Sequence, residues 1–88
     1  MAEDLNRLLE CTKHACWAIA KHLRNRATLL HDIGPDRLAR EQLFASAVQF
    51  EDRAAQCDAW LYALPDGVTP EREAQMRDAC AEWLRMAK

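Results

Sequence analysis

Three groups of side chains in this 88-residue chain have types and spacings that could do chemistry. The first is Cys11-x-x-His14, a thiol and an imidazole one helical turn apart. Both are zinc ligands, and a soft N/S pair suits zinc or copper. A structural zinc site needs four ligands, however, and no second Cys/His pair stands at ligand spacing. The paired Glu-x-x-His of helical di-iron proteins does not occur. A Cys/His metal-binding helical bundle is therefore the weakest of three readings, and no metal or cofactor is expected.

The second group would serve acid–base or nucleophilic chemistry. Ser46 is the only serine and has no histidine near it in sequence. Glu51 and Asp52 are adjacent carboxylates, but neighbouring helix positions point about 100° apart and do not face each other. Both glycines lie in turn sequences, so no phosphate-binding loop is present. These residues read as solvated helix faces, and the chain is not expected to be an enzyme.

The third group is recognition chemistry. Lys13, Trp17, Lys21 and Arg24 step by 4, 4 and 3 along one strip of a helix, and His31 continues it. A tryptophan among cations can stack a base between phosphate contacts. Tryptophan and arginine are also the types most enriched at protein-interface hot spots. Trp60 falls on a polar flank of its helix, beside Gln49, Arg53 and Gln56, and is either an unpaired surface aromatic, forming with Tyr62 a second candidate, or half-buried against helix 3 or the second turn. Trp83 reads as core. The plain alternative is that Trp17 is covered by another helix or subunit, with lysine stems packed on its ring.

Punctuation divides the chain into the elements that must position these groups. All five Gly and Pro residues fall in Gly34-Pro35 and in Pro65-Asp66-Gly67-Val68-Thr69-Pro70. Three uninterrupted segments result, about 3–32, 35–64 and 70–87. Gly34 can take the left-handed conformation that ends a helix, and Pro35 suits the next first turn. Thr69 is the expected N-cap of the third helix, with Pro70 its first residue and Glu71 and Glu73 in the first turn. Core positions step by 4 and 3: Leu5, Leu9, Thr12, Cys16, Ile19, Leu23, Ala27 (or Arg26) and Leu30; then Leu43, Ala47, Phe50, Ala54, Cys57, Leu61 and Leu64; then Met76, Cys80, Trp83 and Ala87. This heptad-like seam predicts side-by-side helices.

Composition agrees. Half the residues are hydrophobic, but 16 of those are alanine and four are cysteine, and Val and Ile number two each. That excludes an all-β fold and a disordered chain. No apolar run reaches the roughly 18 residues of a membrane span. Net charge is −2, which argues against a dedicated nucleic-acid binder. Residues 11–31 nevertheless carry four cations and no acid, while 32–88 carry seven cations and eleven acids. Opposite charges of this kind are expected to neutralise each other across a helix–helix contact. The start, Met1-Ala2-Glu3-Asp4, has no secretory character, so a cytoplasmic protein with reduced thiols is expected.

The expected fold is all-α: a long antiparallel helical hairpin, roughly 43–45 Å per helix, with a shorter third helix folded back on it. The third helix is too short to cover the hairpin. The second helix also has a second apolar stripe, Phe44, Val48, Ala55 and Tyr62, which needs either helix 3 or a second subunit. A homodimer with a four-helix core and outlying third helices satisfies it. The expected function is a noncatalytic protein–protein interaction module: a small regulator, inhibitor or adaptor using Lys13, Trp17, Lys21, Arg24, Trp60 and Tyr62. A nucleic-acid-binding helical dimer using the basic face of helix 1 is the alternative.

Overall fold

The structure is a computed structural model describing residues 2–86. The protein is all-α, a long antiparallel hairpin with a shorter third helix. Helix α1 spans Ala2–Thr28, α2 spans Asp36–Ala63, and α3 spans Pro70–Met86, with one 3-10 turn at Leu64–Asp66. The rod they form measures 51 × 18 × 16 Å. Among the described residues, no helix is long and apolar enough to cross a membrane.

The turn chemistry accounts for most boundaries. The Arg72 amide donates to Thr69 Oγ1 at 3.1 Å, so Thr69 caps α3 as its sequence position suggests. Gly67 (φ 97°) makes the preceding turn in a conformation that side-chain-bearing residues resist. Helix α1 differs from expectation by ending at Thr28. The Leu29 and Leu30 amides bond back to Arg26 and Ala27, tightening the last turn to i→i+3 spacing. Gly34 (φ 74°) is thus not the cap of α1. It lies at the far end of the connection, where its carbonyl accepts from the Arg37 amide at the start of α2.

Core composition changes along the rod. At the end where three helices meet, Leu5, Leu9, Cys57, Met76 and Cys80 are buried, with Leu8, Trp60, Leu61, Leu64, Val68 and Trp83 packed around them. Thr12 is also fully buried there, its hydroxyl satisfied by the Leu8 carbonyl at 2.7 Å. At about 1.5 Å per residue, α3 covers roughly half of the rod. Toward the hairpin tip only α1 and α2 remain, and the fully buried residues there are Ala20, Ala27 and Ala47. The seam positions Ile19 and Leu23 are half-buried instead of core, and Ala20 takes their place. Two helices meeting without a third can enclose an alanine completely; a larger side chain projects past the contact line into solvent. Ala87, expected to extend the core of α3, lies outside the described residues.

Leu9 is wholly buried among three helices. Leu9→Ala is expected to cost about 2–5 kcal/mol in unfolding free energy. Thr69→Ala, which removes only a cap, is expected to cost about 0.5–2 kcal/mol. Urea titrations followed by far-ultraviolet circular dichroism measure both, and an Ala20→Leu variant in the two-helix half is expected to destabilise by overpacking.

Candidate protein-interaction face

The two flanks of the hairpin are unlike each other. Successive helical residues turn by 100°. About the Ala47/Ala54 line, α2 therefore presents Cys57, Leu64, Arg53 and Trp60 on one flank, and Asp58, Glu51, Phe44, Tyr62, Ala55 and Val48 on the other. Helix α3 occupies the first flank. Trp83 stacks on Trp60 with ring centroids 5.8 Å apart and planes 7° from parallel. Trp60 is consequently half-buried against α3 and already partnered, the second of its two expected placements and not that of an unpaired surface aromatic. Its polar neighbours belong to one helix, and the aromatic partner arrives from another.

The second flank is open. Val48 and Tyr62 are 45% and 88% exposed, and Ala55 is exposed as well. Helix α3 does not pack on the Phe44, Val48 and Ala55 stripe, so that half of the expectation is corrected: α3 is drawn to the flank carrying Cys57, Trp60 and Leu64. Phe44 finds other cover. The guanidinium groups of Arg40 and Arg24 lie 5.0 and 5.9 Å from its ring centroid.

The α1 strip borders this same flank, and two ion pairs join it to α2. Lys13 Nζ donates to Asp58 at 3.1 Å. Arg24 grips Glu51 with two guanidinium nitrogens, Nε at 2.9 Å. Hydrogen bonding to Asp58 raises the Lys13 pKa. Hydrogen bonding between Arg24 and Glu51 raises the first and holds the second below the usual carboxylate range. The segregation of cations into residues 11–31 was the sequence signal for these pairs, although it named neither Glu51 nor Asp58. Of the four strip residues, Trp17 (48% exposed) and Lys21 remain without an acid or aromatic partner among the described residues. They line an open groove of about 420 Å³ with Ala18, Arg24, Asn25 and Glu51.

Other candidates are scattered. Cys11 is exposed, and His14 Nε2 faces Glu10 at 3.5 Å. Among the described residues, no three potential ligand side chains gather around a metal position. Ser46 is half-buried within α2, and Asp52 is exposed beside the Arg24-bound Glu51. Two apolar residues went unrecognised in the sequence as surface features: Ile33 and Leu38, well exposed at the hairpin tip along with Leu29. Leu29-Leu30 and Ile33 immediately before Gly34-Pro35 was the available signal, hidden by reading them as helix.

No protein-family model, curated protein sequence or solved structure matches the chain.

The depressed Glu51 carboxyl has a signed consequence. Its contribution to stability is complete above the ordinary carboxylate range and is lost as pH falls through the depressed folded pKa. Between neutral pH and about pH 3, wild type is expected to lose more of its urea midpoint than Glu51→Gln, which lacks this titration. Urea titrations at both pH values check the sign.

Proposed function

We propose that this chain is a noncatalytic protein-interaction module, a small regulator, inhibitor or adaptor that works by covering a helical surface with the flank opposite α3. The observation that carries the reading is that this flank exposes Trp17, Val48 and Tyr62 while its framing charges are already paired as Lys13–Asp58 and Arg24–Glu51. A partner helix laid there buries apolar area while two of the three flanking cations keep their carboxylates, so only Lys21 needs an acid from the partner to avoid the cost of stripping water from an isolated charge. Its action would be steric occlusion or stabilisation of one partner state.

The first surface we assign to this flank is the same flank of a second copy. A two-fold contact pairs a patch with itself. With α3 on the far side of each hairpin, two such flanks close into a four-helix core with the third helices outside. That arrangement gives the two-helix half of the rod the additional layer it lacks. The nucleic-acid alternative draws less support, because Lys13 and Arg24 are engaged by carboxylates and a phosphate would have to displace them.

Light scattering of the full chain is expected to give twice the 10.1 kDa chain mass. Trp17→Asp combined with Val48→Glu is expected to give the single-chain mass with unchanged helicity. A wild-type monomer throughout the micromolar range would overturn self-pairing. Capture from the native host by wild type and by Trp17→Ala/Lys21→Glu would then test the flank itself. Equal recovery of the same proteins by both would remove it as the contact.

A further inference from the structure

Lys21 and Asp52 are both exposed, and neither has an ion-pair partner among the described residues. They stand on the same flank of the hairpin. Lys21 follows the buried Ala20 and so lies about 100° round α1 from the helix–helix contact. Asp52, five residues after the buried Ala47, lies about 140° round α2 on that side. The ion pairs between α1 and α2 fix their heights along the rod. Measured from Arg24–Glu51, Lys21 is three residues toward the three-helix end and Asp52 is one. Measured from Lys13–Asp58, they are eight and six residues toward the tip. At ~1.5 Å per residue, both measures place them within about 3 Å of one height. Two unsatisfied charges of opposite sign therefore sit level with each other, one on each helix, and both point away from the hairpin.

We propose that the self-paired form has its two-fold axis along the rod, so that Lys21 of each copy bonds Asp52 of the partner subunit. The inference rests on the self-pairing advanced above and adds its direction. A two-fold that brings one flank onto the same flank of a second copy runs either along the rod or across it, between the two surfaces. Along the rod, it sets α1 against α2 of the other copy with equal heights opposed, and no axial register is left to choose. The Lys21–Asp52 contact then forms twice, once on each side of the axis. Val48 and Ala55 directly follow the buried Ala47 and Ala54, so both face outward on this flank. In the same arrangement Ala55 of the partner subunit comes level with Trp17, and Val48 of the partner subunit enters the groove that Trp17, Lys21 and Asn25 line.

An axis across the rod does not satisfy both charges. It sets α1 against α1 and α2 against α2, with the rods antiparallel. Asp52 then faces a helix whose Arg37 is already bonded to Glu41 and whose Arg40 lies on the ring of Phe44. Complementary charge selects the orientation of a contact more than its strength, and here it selects parallel rods.

The test mixes isotope-labelled and unlabelled full chain, treats the mixture with a water-soluble carbodiimide and maps the cross-linked peptides. The expected result is a Lys21–Asp52 amide joining one labelled and one unlabelled peptide, which only a contact between chains can produce. Light scattering over a dilution series gives a second reading. Lys21→Asp and Asp52→Lys are each expected to weaken self-association at least about fivefold, with less effect at high salt. Lys21→Asp/Asp52→Lys, which rebuilds both pairs with the signs exchanged, is expected to return it to within about twofold of wild type. A wild-type dimer whose mixed-isotope links join Lys21 to Glu3 or Glu10 has antiparallel rods and overturns the inference while self-pairing stands. A double variant that associates no better than the single ones overturns it in the same way. A wild-type single-chain mass at every concentration overturns the inference and self-pairing together.

Discussion

Ala20, Ala27, Ala47 and Ala54 are all fully buried between α1 and α2, and the other features of the molecule are placed by that contact. The alanines are spaced seven residues apart in each helix, so each pair returns to nearly the same side after two turns. Their small side chains let the backbones run close together through the half of the hairpin nearer its tip. A rod results, and a rod has flanks. Everything outside the alanine line must either be covered from one flank or the other, or remain in water.

Helix α3 covers one flank for roughly half the length. It brings Met76, Cys80 and Trp83 to Leu5, Leu9, Cys57 and Trp60, and this is where the large side chains lie inside. The distribution of residue sizes follows from the number of helices present at each level. Three helices enclose a volume that leucine and methionine can fill, while two share a line that only alanine can fit. The half-burial of Ile19 and Leu23 and the exposure of the tip residues Leu29, Ile33 and Leu38 are the same effect.

The opposite flank is organised by charge. Lys13–Asp58 and Arg24–Glu51 cross from α1 to α2 on that side, and Arg24 and Arg40 roof the ring of Phe44. Exposed ion pairs of this kind contribute little to stability individually. They occupy two of the cations of α1 with carboxylates of α2 and leave Trp17, Val48 and Tyr62 as the exposed large apolar residues of that flank.

The sequence by itself determined the helices, their order and most of the seam. Those depend on local properties: the two Gly/Pro clusters stop the chain, Thr69 and Pro70 start α3, and steps of 3 and 4 mark a buried stripe within one helix. Leu5, Leu9, Cys57, Met76 and Cys80 were legible for that reason, and so was the mismatch between a long hairpin and a short third helix. Tertiary structure decided which flank α3 takes. A helical wheel shows a residue's neighbours on its own helix and nothing of those arriving from another. Trp60 could be free or covered by α3 and is stacked on Trp83, while Phe44, Val48 and Ala55 could face α3 or a second copy and α3 takes the other flank. The partners of Lys13 and Arg24 also required the fold, because each depends on the axial register of one helix against its neighbour.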